Sequence, residues 1–118
     1  MREWKEIDLA VTSALTEVEC LRTLDRLRLC NTLSAADQAA RRGLVYRLLG
    51  ACEFVELSRS VLGRASQPFP TPLGSLDAIH LATALIWRDQ ERADAVLATH
   101  DTALALAASA SGFPVVGV

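Results

Sequence analysis

Aromatic residues make up only 5% of this 118-residue chain, so its core must be packed from leucine, alanine and valine. An excess of charge is missing too: 12 basic residues stand against 14 acidic ones, a net charge of −2. That excludes the broad positive field with which proteins hold nucleic acid non-specifically, so any nucleic-acid site is local or shared with a second subunit. There is no glycine-rich phosphate loop. No basic start leads into an apolar run, and no apolar stretch reaches the roughly 18 residues that span a bilayer. No membrane partner and a cytoplasmic location are therefore expected. Cys20, Cys30 and Cys52 are odd in number and lack metal-ligand spacing. They read as small buried hydrophobes in a reducing compartment.

What is present is a 51% hydrophobic composition, enough for one well-packed domain spanning residues 1–118. Ile7 to Thr12 reads as a short strand. Thr12 or Ser13 then caps a helix whose apolar side runs Leu15, Val18, Leu21, Leu24 and Leu27. Asn31 to Ser34 breaks that helix. Ser34 caps a second one carrying Ala36, Ala39, Leu44 and Leu48, with Gly50 at its far end. Phe54 to Leu57 reads as a strand and Val61-Leu62 as a helical turn. Pro68 to Pro72 is a loop, because proline removes a donor and restricts the residue before it. Ser75 caps a helix from Leu76 to Arg88. Ala95 to Thr99 is a strand, Thr102 to Ala110 a helix ended by Gly112, and Val115 to Val118 a closing strand that leaves no tail. Strands alternating with helices predict a three-layer α/β domain with a mainly parallel sheet.

Three acids stand apart by context. Glu19 lies on a helix entered from a strand, between apolar Val18 and Cys20. Asp77 opens the otherwise apolar segment to Trp87, and Asp101 follows a hydrophobic run where a strand would end. Each has an ordinary reading: a solvated helix carboxylate, a first-turn aspartate favoured by the helix dipole, or an N-cap. In open parallel sheets, however, active sites gather beyond the carboxyl ends of the strands. Convergent carboxylates repel unless a cation intervenes, and an all-oxygen set suits Mg²⁺ or Mn²⁺. Such an ion activates water and stabilises a transferring phosphoryl group, so phosphodiester hydrolysis is the natural chemistry. Thr99 is placed to orient a metal-bound water or Asp101. His80 falls one turn after Asp77, as a core histidine or a catalytic one. His100 is given no role. Arg22, Arg26 and Arg28, and separately Arg41, Arg42 and Arg47, form basic clusters that suit phosphates, acidic partners or plain solvation.

The segments Thr12 to Arg22, Ser75 to Ala82 and Val96 to Asp101, followed by an alanine-rich helix and Gly112-Phe-Pro-Val, resemble those of the PIN-domain ribonucleases. The likeness is greatest to the VapC-type toxins of toxin–antitoxin modules. It implies a three-layer PIN-like fold and a site in which Glu19, Asp77 and Asp101 hold Mg²⁺ or Mn²⁺, with Thr99 beside them. The implied activity is a metal-dependent endoribonuclease toxin with an RNA substrate, a cognate antitoxin and a homodimeric assembly. One departure is expected. Nothing before Ile7 resembles the family's first strand with its closing aspartate, and Asp8 precedes the next strand instead of ending the first. The first strand is thus expected to be absent, through a downstream start, degeneration, or completion by another chain. The alternative function is a non-catalytic domain of the same fold that binds protein or RNA.

Overall fold

The computed structural model describes residues 9–118. The residues Met1 to Asp8, and with them the start of the Ile7–Thr12 strand and the reading of Asp8, lie outside the described residues. The chain divides into two compact units, one ending at Glu56 and one running from Leu57 to Val118.

In the first unit the order is strand β1 (Val11–Ser13), helix α1 (Leu15–Leu29), helix α2 (Ala35–Gly50) and strand β2 (Glu53–Val55). The strands pair in parallel, with Val11 opposite Glu53 and Ser13 opposite Val55, so the two helices form the crossover that a parallel pair requires. The Glu53 amide donates to the Ala10 carbonyl at 2.8 Å, and the Ala14 amide to that of Val55 at 2.9 Å, extending the ladder at both ends. An N-terminal strand is therefore present, and the expectation of an absent first strand is overturned by Val11–Ser13 and its hydrogen-bonded partner.

Helix α1 closes where Asn31 takes a left-handed conformation with φ of 58°, which asparagine tolerates better than most side chains. The Thr32 amide then returns to the Leu27 carbonyl at 2.9 Å, and Leu33 is buried beyond the turn. The Ser34 hydroxyl accepts from the Asp37 amide at 3.0 Å, the expected N-cap of α2. Of the apolar side read for α1, Leu24 is buried, Leu15, Leu21 and Leu27 are half-buried, and Val18 is exposed. Helix α2 departs further. Gln38, Arg42, Val45 and Leu49 are half-buried, whereas Leu44 and Leu48 are 47% and 61% exposed, so the leucines placed on this helix face outward.

In the second unit helix α3 (Arg59–Ala65) is capped by the Ser58 hydroxyl, which accepts from the Val61 amide at 3.2 Å. The proline-punctuated loop leads to helix α4 (Ser75–Glu91), strand β3 (Leu97–Ala98), helix α5 (Thr102–Ala110) and strand β4 (Val115–Val116). Ser75 is not the cap of α4. Gly74 holds that position without a side-chain hydrogen bond, and Ser75 is the first helical residue. Strands β3 and β4 pair in parallel, Leu97 with Val115 and Ala98 with Val116, with α5 as the crossover. The described strands thus form two two-stranded parallel ladders, where the sequence reading expected one sheet.

The core of this unit joins Leu81 and Leu85 of α4 to Leu104, Ala107 and Ala108 of α5 and to Phe113. Phe69, Leu73, Leu97 and Val115 pack around it. Small alanines on α5 let the helices approach closely, which suits a chain poor in aromatic bulk. Arg88 lies over the Phe113 ring, 4.2 Å from its centroid, and its Nη1 donates to the Ser111 carbonyl at 3.0 Å, closing the end of α5. Gly117 adopts φ of 101°, and a Cβ there would stand 2.6 Å from the Thr99 carbonyl oxygen, so this turn requires glycine.

Candidate functional site

The turn between β3 and α5 is built from Thr99, His100 and Asp101. The Asp101 amide donates to the Thr99 hydroxyl at 3.0 Å, folding the chain sharply out of the strand. One Asp101 carboxylate oxygen, Oδ1, accepts from the Leu104 amide at 2.8 Å, making Asp101 the N-cap of α5. Nδ1 of His100 donates to the Gly117 carbonyl at 2.8 Å, tying this turn to the residues after β4. The exposed carboxylate thus has a fixed direction and an oxygen already engaged by the helix end.

Asp77, in the same unit, is the third residue of α4 and sits in its first turn, where the helix dipole favours a negative charge. It is half-buried, as is His80 one turn further along. Between α3 and the start of α4 lies a cleft of about 280 Å³ lined by Leu62, Ala65, Ser66, Ser75 and Ile79. Neither Asp77 nor Asp101 lines it.

Glu19 belongs to the first unit, half-buried in the second turn of α1. Its backbone carbonyl accepts from the Thr23 hydroxyl at 2.9 Å. Burial, and then the neighbouring Glu19 charge, raise the pKa of the Cys20 thiol, which keeps it protonated at neutral pH. Among the described residues, no group of three or more His, Cys, Asp or Glu side chains comes together in a way that could hold a metal ion. Glu19 lies in the first unit, and within the second unit Asp77 and Asp101 by themselves are fewer oxygen-bearing side chains than Mg²⁺ or Mn²⁺ takes as ligands.

The basic clusters divide in the same way. Asp25 binds Arg22 at 3.0 Å and Arg28 at 3.1 Å, and chiefly the Arg28 hydrogen bond holds its carboxyl below the usual range. Arg42 lies over the Tyr46 ring on α2. What the sequence reading missed is the outward leucine stripe of α2. Its signal was present in the spacing of Leu44 and Leu48, which were placed on the helix without a facing.

No helix among the described residues is long and apolar enough to cross a membrane. No curated protein and no solved structure matches the chain. The family model described as the PIN domain does match, over residues 1–109, and so takes in both helix-initiating aspartates and Glu19. On that match the chain belongs to the PIN-domain family.

Proposed function

We propose that this PIN-family chain works by binding a partner protein, without a catalytic metal centre of its own. The observation that carries the reading is that no metal-holding group of acids and histidines gathers among the described residues. Asp101 meanwhile does a structural task as the cap of α5. A protein partner is favoured over RNA by the net charge of −2 and by the large apolar side chains exposed on α1 and α2: Val18, Leu29, Leu44, Tyr46 and Leu48. The test is Mn²⁺ titration calorimetry on the whole chain, with Asp77→Asn as control. Heats no larger than dilution in both proteins are expected. A saturable site in the parent that disappears in the variant would overturn the reading.

The second reading is the one that the resemblance to VapC-type toxins implies. It is a Mg²⁺- or Mn²⁺-dependent endoribonuclease, paired with a cognate antitoxin and assembled as a homodimer, acting on RNA through Glu19, Asp77, Asp101 and Thr99. What favours it is that Asp77 and Asp101 open two helices of one unit, where carboxylates can be presented together. Asp77→Asn abolishing metal-dependent cleavage in a folded chain would establish it.

A further inference from the structure

Helix α2 carries large apolar side chains on two sides. Its inner side is the half-buried set Gln38, Arg42, Val45 and Leu49, at helical spacing of three and four. Its outer side carries Ala40, Leu44, Leu48 and the capping residue Ala51, again at spacings of four and three, all of them exposed. A single surface leucine needs no explanation, but two on successive turns, framed by alanines, form a stripe of the kind that helices use to pair. Leu44 and Leu48, 47% and 61% exposed, are the large members of that stripe.

The charges around the stripe select what can cover it. Arg41 flanks it on one side and Arg47 on the other, and Asp37 is the only acidic residue of the helix. On α1 the arginines Arg22 and Arg28 are matched by Asp25. No ion pair engages Arg41 or Arg47 among the described residues. Arg47 lies back along the helix, its Nη1 3.5 Å from the point a Cβ on Gly43 would occupy, so its charge borders the stripe without covering it. An apolar seam between cationic edges is complementary to an apolar seam between acidic ones. A second copy does not meet that requirement. Antiparallel self-pairing on Leu44 and Leu48 would place two Arg47 side chains side by side across the two-fold axis.

We propose that the Ala40–Leu44–Leu48–Ala51 face of α2 docks an acidic amphipathic helix of a partner protein, with Arg41 and Arg47 pairing with the acids that flank its leucines. This rests on the reading of the chain as a protein-binding domain and names the chemistry of the partner.

The test uses two synthetic amphipathic peptides with the same leucine stripe, one edged by glutamates and the other by lysines. Each is titrated into the whole chain and followed by anisotropy of a fluorescent label. The glutamate peptide is expected to bind saturably and to weaken as salt is raised, and the lysine peptide to bind far less well. Leu44→Ser with Leu48→Ser is expected to weaken binding by on the order of a hundredfold. Arg41→Glu with Arg47→Glu is expected to reverse the preference between the peptides. All four positions are exposed, and circular dichroism checks that the variants keep their helix content. Equal binding of both peptides, no binding of either, or binding indifferent to both double substitutions would overturn the proposal. So would a dimer in sedimentation that Leu44→Ser with Leu48→Ser dissolves, because a second copy would then be the occupant. Metal-dependent cleavage of RNA by the same preparation would instead defeat the underlying reading and leave the peptide result standing.

Discussion

Asp101 concentrates the question at the scale of single residues. Its Oδ1 takes the Leu104 amide, a bond that asparagine can make as well as aspartate. Asp101→Ala is therefore expected to lower stability by about 1 kcal/mol in denaturant unfolding, and Asp101→Asn to lower it much less. Equal losses would mean that the charge matters beyond the cap. Asp25 is the second case. Hydrogen bonding to Arg28, with charge from Arg28 and Arg22, holds its carboxyl below the usual range. A group with a depressed folded pKa stabilises above its unfolded value and loses that contribution as pH falls through the folded one. Helix content followed by circular dichroism should thus fall on acidification through the carboxylate range, by less in Asp25→Asn. The cysteines give a third test. Cys30 is exposed, while Cys20 is partly buried and its thiol is pushed up by burial and by Glu19. Timed alkylation should modify Cys30 before Cys20. At this scale much was legible: Ser34 announced its cap because a serine before an apolar run has few better uses. Gly74 was not legible, because a cap without a side chain leaves no signal.

At the scale of elements, two leucine substitutions separate core from surface. Leu81 is fully buried among Leu85, Leu104 and Phe113, so Leu81→Ala should cost about 2–5 kcal/mol through lost contacts and a residual cavity. Leu44→Ser, on the outward face of α2, should change stability by no more than about 0.5 kcal/mol. Unfolding of both variants checks the contrast, and a large loss from Leu44→Ser would put that leucine in the core. Gly117→Ala should weaken the end of the β3–β4 ladder, because a Cβ would meet the Thr99 carbonyl and the left-handed φ is strained. Periodicity predicted most elements well, since a helical repeat marks a helix wherever it lies. It did not reveal which side of α2 faced inward: Ala40, Leu44 and Leu48 and the set Gln38, Arg42, Val45 and Leu49 both recur at helical spacing. The first strand was misjudged for a related reason. Ile7 to Thr12 was read as a strand, but as one following an absent first strand, and the pairing of Val11 to Ser13 with Glu53 to Val55 is a long-range fact that no local window contains.

At the scale of the whole molecule, the family was the most legible property and the activity the least. The Ser75 to Ala82 and Val96 to Asp101 segments carried a resemblance that the PIN-domain match bears out. Family membership follows from many weak positional preferences acting together, and these survive the loss of any one. A metal centre depends instead on three or four oxygens converging to within a fraction of an ångström, which spacing along a chain does not determine. Among the described residues no such group forms. The chain instead offers capped helices, a tight alanine-and-leucine core in its second unit, and an outward apolar stripe in its first. The most direct test is an RNA cleavage assay with the whole chain in Mn²⁺, alongside Asp77→Asn and a chelator control. The account predicts that the parent, the variant and the chelated sample leave the RNA equally intact. Cleavage by the parent alone, lost on chelation and in folded Asp77→Asn, would contradict it and establish the carboxylates as a working nuclease centre.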